Sequence, residues 1–427
     1  RDREKKTIDV TFEVVEGPRA FVERIDISGN IRTLDKVIRR EFQIIEGDAF
    51  NSSKLRRSKQ RLESLGFFSK VNMEQTPGSV PDKAVIKVEV EEKSTGSISI
   101  GAGFSSSVGP IGDFGITESN FLGRGQNLAL NLQIAATRSE IDLAFTEPYF
   151  LDREIRAGFD VFHVNQDLQD TSSFDLKRSG FKLRAGYPIT EELRQDWRYG
   201  LSKSTIGSVD STASTLVQDV TGTKYKSEVS HSIGYDKRDN SQSPTEGYFL
   251  NLDTAIAGLG GNVKYARNVL RGANYYEFKD QWVLTVGGRF SHIVGIGQDV
   301  NILDRFHLGG DNLRGFANRG AGPRDTATDD SLGGEWLYNG SAELTLPVGL
   351  PAELGIGGRV FSDFGAAGKL SPKNSATVDD GNLRLSTGIG MTWVSPFGPL
   401  GVDIGIPLLK EDNDEIENFR INFGTRF

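Results

Sequence analysis

Apolar and polar side chains alternate in one segment after another from residue 96 to the end of the chain. In a typical segment Leu128, Leu130 and Leu132 occupy one face, and Asn131 and Gln133 occupy the other. This alternation is typical of β-strands that have one apolar and one polar face. The pattern predicts sixteen strands, at residues 97–104, 112–118, 126–136, 139–147, 154–164, 174–188, 194–206, 225–236, 246–257, 263–278, 281–295, 335–347, 353–364, 383–395, 398–407 and 417–427.

The connections between these strands distinguish two ways of covering the apolar faces. A soluble sandwich would bury them against a second sheet, whereas a membrane barrel turns them to lipid and keeps the charges in a wet lumen. Short turns such as 188–192 alternate with long loops, of which 296–334 is the longest. That alternation is typical of outer-membrane barrels. We therefore predict a mainly β fold class, with a 16-stranded antiparallel transmembrane β-barrel over residues 95–427.

The last predicted strand ends with the sequence itself. Phe419, Ile421, Phe423 and Phe427 lie on one face of it. An aromatic residue that closes an alternating C-terminal strand is typical of bacterial outer-membrane barrels. The alternative is a final strand of a soluble β protein that has this pattern by chance.

Residues 18–94 have a different texture and predict a small α+β module. A strand at 21–27 precedes a short helix, and a second helix begins at Asn51 or Ser52 and ends at Gly66. Two strands follow, near 68–74 and 85–90, which gives the order β-α-α-β-β. Residues 1–17 contain a similar alternating, acid-ended strand, so we interpret them as the end of a preceding copy of the module. The alternative is an ordinary N-terminal edge strand.

Composition narrows the class of protein further. No apolar run among the 427 residues reaches the ~18–20 residues of a membrane helix. The chain has no cysteine, which excludes disulfides, thiol nucleophiles and Cys-ligated metals. The net charge of -8 gives no general case for nucleic-acid binding. The basic face of the second predicted helix is interpreted as solvated surface, with nucleic acid or acidic lipid as the alternative ligand.

Candidate chemistry is sparse. The sequence contains no phosphate-binding loop, no nucleophile elbow and no metal-ligand cluster. An outer-membrane hydrolase would need a positioned acid–base group, for which His163 or His292 facing a carboxylate would be the candidates. Isolated barrel histidines are more often structural. We therefore predict no enzyme activity, no catalytic residue, no metal and no cofactor.

The longest loop carries the most informative motif, Leu313-Arg314-Gly315-Phe316, which we call the loop-lock motif. Here the chain resembles the BamA family of outer-membrane β-barrel assembly insertases, in which POTRA modules of β-α-α-β-β order precede a 16-stranded barrel. The family has Val or Ile at the first position, so Leu313 is a conservative departure. The resemblance covers essentially the whole chain. It implies that residues 18–94 are the POTRA module beside the barrel and that residues 1–17 end the preceding one.

The resemblance also implies partners for the motif in the lumen. A family motif on the thirteenth barrel strand matches Phe361, Asp363 and Gly365, and an acid on the twelfth matches Glu343. In the family these acids anchor the loop arginine. Alternation independently turns the two carboxylates inward, and a guanidinium can bind a carboxylate through two hydrogen bonds. The alternative is that Arg314 is exposed and Asp363 merely lines water.

The function implied by the resemblance is the folding and insertion of β-barrel proteins through a weak seam, without nucleotide. We use "seam" for the junction of the first and last barrel strands. Gly101 and Gly103 on the first strand, with Gly424 and Phe427 on the last, are the predicted seam residues. Glycine weakens strand pairing. We expect the freed edge of the first strand to template a client strand by β-augmentation.

The resemblance further implies the surroundings and partners. We expect a bacterial outer-membrane location, with the POTRA module in the periplasm. Expected partners are unfolded outer-membrane protein clients and accessory lipoproteins, to either of which the last strand of the module, near Val85–Val90, would offer an edge. Outer-membrane lipids and lipopolysaccharide are expected partners too, and nucleic acid is not. The acidic segments 325–330 and 411–417 are expected to be solvated surface. Two alternative functions remain open: a polypeptide-secretion pore of the same superfamily, and a passive porin.

Overall fold

The computed structural model describes residues 19–351, 354–395 and 398–423. Its described residues divide into two compact units. One comprises the residues up to Gly96 together with 118–126, and the other comprises 97–117 and the residues from 127 onward. Among the described residues, no helix is long and apolar enough to span a membrane.

The module of the first unit has the predicted order of elements. These are β1 (Phe21–Ser28), α1 (Asp35–Arg39), α2 (Ser52–Ser64), β2 (Phe68–Pro77) and β3 (Lys83–Glu92). Helix α2 begins as predicted, because the Asn51 side chain accepts hydrogen bonds from the backbone of Ser53 and Lys54 at 2.9 and 3.0 Å. The two helices cover one face of the sheet through buried apolar residues, which include Val37, Ile38, Leu62 and Ile86.

The strand order of the module corrects one prediction. The sheet runs β1-β3-β2, with β3 parallel to β1 and antiparallel to β2. Residues 85–90 therefore lie in the centre of the sheet, where both sides of the backbone are paired, and cannot offer a free edge to a partner. Strand β1 is also covered along part of its outer side, by backbone hydrogen bonds to the segment 47–50. Strand β2 is the outer strand on the other side.

The second unit is organised as a closed barrel of sixteen strands, which confirms the predicted fold class. Consecutive barrel strands with described registers are antiparallel. The barrel strands are β4 (Gly96–Ser105), β5 (Gly109–Phe121), β6 (Gln126–Ala135), β7 (Arg138–Glu147), β8 (Arg156–Asp167), β9 (Asp175–Pro188), β10 (Leu193–Gly207), β11 (Gly222–Asp236), β12 (Gly247–Gly261), β13 (Tyr265–Lys279), β14 (Trp282–Gly295), β18 (Trp336–Pro347), β19 (Ile356–Gly368), β21 (Arg384–Ser395), β22 (Gly398–Leu409) and β24 (Phe419–Phe423).

The alternation of side chains places apolar residues on the outside of the cylinder and polar residues on the inside. On β12, Leu250 and Ile256 are about half exposed on the outside. Between them, Asp253 accepts a hydrogen bond from Arg271 of the neighbouring strand at 2.6 Å on the inside. Apolar side chains left exposed around the cylinder are stable in lipid, and polar side chains inside are stable in a wet lumen.

The loops contain short elements of their own. These are α3 (Gln169–Ser172), α4 (Thr215–Gln218), and the two-residue strands β15 (Gly315–Phe316), β16 (Arg324–Asp325), β17 (Asp330–Ser331), β20 (Thr377–Val378) and β23 (Ile416–Glu417). Glu417 was predicted to begin the last barrel strand, but it belongs to β23, which pairs with β15 in the long loop.

One acidic loop also departs from prediction. Asp325 and Asp330 are each only 2% exposed, although segment 325–330 was expected to be solvated. Asp325 accepts hydrogen bonds from Ser214 Oγ at 2.6 Å and Asn374 Nδ2 at 2.8 Å. Their carboxylates therefore hold neighbouring loops together, because buried acids are stable only when hydrogen-bonded or paired.

Candidate functional site

The loop-lock arginine lies in the lumen against the wall formed by β18 and β19. Arg314 binds Asp363 through two hydrogen bonds, Nε to Oδ2 at 2.7 Å and Nη2 to Oδ1 at 2.8 Å. Its Nη1 donates to Glu343 Oε2 at 2.6 Å. The Arg314 side chain is 12% exposed and that of Asp363 only 4%. The structure thus brings the motif together with both predicted acids in a largely dehydrated, charge-assisted contact.

The aromatic residue of the partner motif has its own role. The guanidinium of Arg314 lies over the Phe361 ring, 3.5 Å from its centroid, in a cation–π arrangement. The ring is 1% exposed and occupies space left by Gly388 on β21, where an added Cβ would lie 2.4 Å from the ring. Ser341 completes the setting by donating to Asp363 Oδ1 at 2.6 Å. The carboxylates therefore bind the edge of the Arg314 guanidinium, and the Phe361 ring covers one of its faces.

A second arginine–carboxylate pair adjoins the first and was not predicted. Arg359 on β19 binds Asp403 on β22 through two hydrogen bonds of 2.7 and 2.6 Å, across the intervening strand β21. The contact is possible because position 390 of β21 is glycine, where a Cβ would lie 2.1 Å from Asp403 Oδ1. Asp403 also lies 4.0 Å from Arg314 Nη1. The sequence signal was the alternation of glycine with apolar residues at 388–390.

The rest of the loop-lock motif is held by backbone and apolar contacts. Gly315 has a φ of +94°, a conformation that favours glycine. Its peptide lies so close to β22 that a Cβ on Gly405 would be 2.7 Å from the Gly315 nitrogen. Leu313 and Phe316 are fully buried in an apolar cluster with residues of the barrel wall. The predicted Gly365 makes room for this cluster, because a Cβ there would lie 2.9 Å from Leu308.

The long loop has another anchor on a different part of the barrel wall. Lys226 on β11 donates to Asp304 of the loop at 2.9 Å and to the Tyr265 hydroxyl at 3.2 Å. The Tyr265 hydroxyl in turn donates to Glu228. Sequence reasoning missed this anchor because Asp304 belongs to no motif and the partners are 78 residues apart.

The described part of the seam contains few paired residues. Over the described residues, β24 pairs with β4 at two register positions, Asn422 with Ser105 and Phe423 with Phe104. By comparison, β10 and β11 share fourteen. Of the predicted seam residues, Gly101 and Gly103 lie on β4 outside this described pairing. Gly424 and Phe427 lie outside the described residues.

His163, one of the two candidate acid–base residues, is hydrogen-bonded within the barrel wall. The His163 ring contacts Ser179 Oγ at 2.7 Å on the neighbouring strand, not a carboxylate. Within the described part of the chain, no group of three or more potential ligands is arranged to hold a metal ion.

Comparisons with known proteins agree with this arrangement. Residues 120–427 match the family model described as "Omp85 superfamily domain", and residues 20–93 match a POTRA model described as "Surface antigen variable number repeat". The chain is 34% identical to the outer membrane protein assembly factor BamA of Neorickettsia risticii, over 98% of this chain and 57% of that protein. It is 28% identical to BamA of Neisseria meningitidis, over 99% of this chain and 59% of that one. The chain thus spans somewhat more than half the length of these relatives.

Solved structures give the same picture. The structure of BamA from Haemophilus ducreyi lacking POTRA domains 1–3 superposes with a TM-score of 0.86 at 26% identity, covering 96% of this chain and 85% of that one. CdiB from Acinetobacter baumannii matches with a TM-score of 0.59 at 14% identity, over 95% of this chain and 74% of that one. The second match is a likeness of fold alone.

Proposed function

Because the chain belongs to the Omp85 superfamily, we propose that it acts as an outer-membrane protein assembly factor that folds β-barrel clients and inserts them into the membrane. Its barrel lies in the bacterial outer membrane, and its POTRA module lies in the periplasm. The observation that carries the proposal is the seam, whose two strands share only two described register positions.

The proposed mechanism exchanges hydrogen bonds and needs no nucleotide. Each backbone hydrogen bond contributes about 0.5–1.5 kcal/mol net, so the proposal requires a seam that few such bonds hold together. Opening exposes the backbone edge of β4. An unfolded client strand that pairs with this edge replaces the lost bonds and gains further ones, which is β-augmentation. Ile98 and Ile100, 70% and 82% exposed, would then face lipid beside the new strand.

In this proposal the docked loop holds the other barrel strands in place while the seam strands separate. Arg314 ties the long loop to β18 and β19, and Lys226 ties it to β11. Both anchors lie on walls other than the seam. A client that separates the seam strands would therefore deform a barrel whose lumen still contains a docked loop.

We further propose that the POTRA module binds unfolded clients or accessory lipoproteins through the edge of β2. Strand β3 is central, and β1 is covered along part of its outer side by residues 47–50. The β1 edge is also occupied by Glu46, which accepts from the Ile25 backbone at 3.1 Å. Strand β2 offers ten residues for strand addition, Phe68–Pro77. Outer-membrane lipids and lipopolysaccharide would contact the barrel exterior.

A reversible disulfide across the seam tests the insertase proposal. The chain has no native cysteine, so Ser105→Cys with Asn422→Cys introduces the sole thiol pair. We expect the oxidised protein to lose insertion of two unrelated unfolded barrel clients into liposomes, and a reductant to restore it. The matched control is Thr205→Cys with Thr223→Cys, register neighbours in the fully paired β10–β11 junction.

The results separate the alternatives. Insertion by the oxidised seam variant at the rate of the oxidised control would refute the seam mechanism. Export or insertion of a single dedicated client, with failure on the others, would indicate the secretion-pore function instead. Steady ion conductance with no effect on either client would indicate a passive porin.

A further inference from the structure

A buried arginine on the last barrel strand joins three parts of the barrel. Arg420 is 3% exposed and lies on β24. Its Nη1 donates to Ser107 Oγ at 2.8 Å and to Asp311 Oδ1 at 3.1 Å, and its Nη2 donates to Glu417 at 2.7 Å. Ser107 belongs to the turn that follows β4, and Asp311 belongs to the long loop. We propose that Arg420 is a positioning residue that latches the seam and couples it to the loop lock.

The first support is that, among the described residues, side chains make several of the bonds across the seam. Ser106 N donates to the Ile421 carbonyl at 3.1 Å, which is backbone pairing. The returning bond is made by a side chain, because Ile421 N donates to Ser106 Oγ at 3.1 Å. Ser105 Oγ also donates to Asn422 Oδ1 at 2.9 Å. The bond from Arg420 to Ser107 adds a charge-assisted contact to these described seam bonds.

The second support is that Asp311 is held by the turn that leads into the loop-lock motif. Leu313 N donates to the Gly310 carbonyl, and Gly310 N donates to the Phe316 carbonyl. Asn312 fixes the same turn by accepting from Gly309 N at 2.8 Å. Asp311 is therefore three residues from Arg314 in a turn with few degrees of freedom.

The chain of contacts gives Arg420 its proposed role. When the lock is docked, Asp311 is presented to Arg420, and Arg420 reaches Ser107 across the seam. When the seam opens, Arg420 is separated from Ser107. Glu417 also has a hydrogen bond to Ser106 across the seam, but it lies three residues before Arg420 on the same side, so it keeps the buried guanidinium paired in both states. The latch deepens the insertase proposal and its biological meaning rests on it, but the contacts can be tested without any client.

Amide hydrogen exchange of Ser106 measures the latch directly. The Ser106 N–H is released only when the seam opens, so its protection factor reports the opening equilibrium. Charge-assisted hydrogen bonds are the stronger ones, and we expect Arg420→Gln to reduce this protection about tenfold. The reference amide is Gly405, which donates to the Asn418 carbonyl at 2.8 Å on the other side of the last strand. Its protection should stay unchanged.

Three further variants make the test specific. Asp311→Asn should reduce Ser106 protection less than Arg420→Gln, and the double variant should equal Arg420→Gln alone, because the two residues act through one contact. Arg420→Lys keeps the charge but has no planar fork, so it should recover part of the protection. Arg271→Gln removes a lumenal arginine paired with Asp253 away from the seam and should have no effect.

The outcomes are decisive with or without a client. Equal Ser106 protection in the Arg420→Gln and Arg271→Gln proteins would overturn the latch, and so would an equal loss of Gly405 protection. If Arg420→Gln fails to fold, Asp311→Asn carries the test, since its side chain is 69% exposed. Loss of Ser106 protection in Arg420→Gln, combined with normal insertion by the oxidised Ser105→Cys, Asn422→Cys protein, would support the latch and refute the seam mechanism of insertion.

Discussion

Removal of the lock arginine should release the long loop from the barrel wall. Arg314→Met keeps an apolar side chain of similar length but leaves Asp363, 4% exposed, without its cation. Breaking a buried pair by removing one partner costs about 3–5 kcal/mol, mostly because the remaining charge is uncompensated. If that free energy goes into loop docking, the undocked population rises about 100-fold to 1,000-fold or more, at tenfold per 1.4 kcal/mol.

Limited proteolysis of the loop in the folded barrel measures this population. Segment 296–334 contains further arginines, so the Arg314→Met loop still has trypsin cleavage sites. Trypsin added to the intact protein cuts the loop only when the loop leaves the lumen. The matched control is Arg271→Met, which breaks an equally short pair of 2.6 Å whose arginine is 52% exposed. Such exposed pairs contribute about 0–1 kcal/mol, so its loop should be cut at nearly the wild-type rate.

A further variant distinguishes the cost of leaving the carboxylates unpaired from the cost of losing the Arg314 contacts. Arg314→Met combined with Glu343→Gln and Asp363→Asn removes the acids as well, and it should recover much of the protection. The reasoning is refuted if Arg314→Met is cut no faster than Arg271→Met. A triple variant that is cut faster than Arg314→Met would show that the stranded carboxylates are not the source of the effect.

Three other predictions follow from the same contacts. Gly390→Ala should lower the thermal unfolding temperature of the folded barrel, because its methyl group would lie 2.1 Å from Asp403 Oδ1 and break that pair. Asp304→Asn should raise hydrogen exchange in residues 300–306 without changing exchange at the seam, since this anchor lies on a different wall. Burial alone would raise the pKa of Glu92, but hydrogen bonds from Thr33 and from the Arg32 backbone outweigh the effect of burial and lower that pKa. The stabilisation that ionised Glu92 contributes is therefore present above about pH 4.5 and is lost as the pH falls through the lowered pKa. Amide hydrogen exchange at Thr33, corrected for the intrinsic chemical rate, should rise on acidification in the wild-type protein. It should not rise in Glu92→Gln.

The part of the site that the sequence predicts is the part encoded by local spacing. Strand alternation alone turns Glu343 and Asp363 inward, and the motif supplies the arginine. The Arg359–Asp403 pair could not be found in this way, because its residues lie on strands separated by β21 and depend on barrel register. The glycines at 388 and 390 indicate open space beside β21, but they do not identify the side chains that fill it.

The incorrect edge of the module has a similar cause. Alternation identifies a strand but not its neighbours, so it cannot show that β3 lies between β1 and β2. Its apolar run at 84–86 is a better guide, since all three side chains are buried. Continuous apolar runs are typical of strands covered on both faces, which are usually interior. The order β1-β3-β2 depends on a parallel pairing across the whole module, which no local pattern specifies.

The three loop anchors explain why a short seam is compatible with a stable barrel. The two register pairs described for the seam contribute only a few hydrogen bonds, each worth about 1 kcal/mol net. The long loop contacts β18 and β19 through Arg314, β11 through Asp304 and β24 through Asp311. Two anchors lie away from the seam and one lies on it. Loss of the Asp311 contact therefore leaves the loop docked elsewhere, and the seam can yield while the walls stay connected through the lumen. A loop held by Asp311 alone would leave the lumen whenever the seam opened.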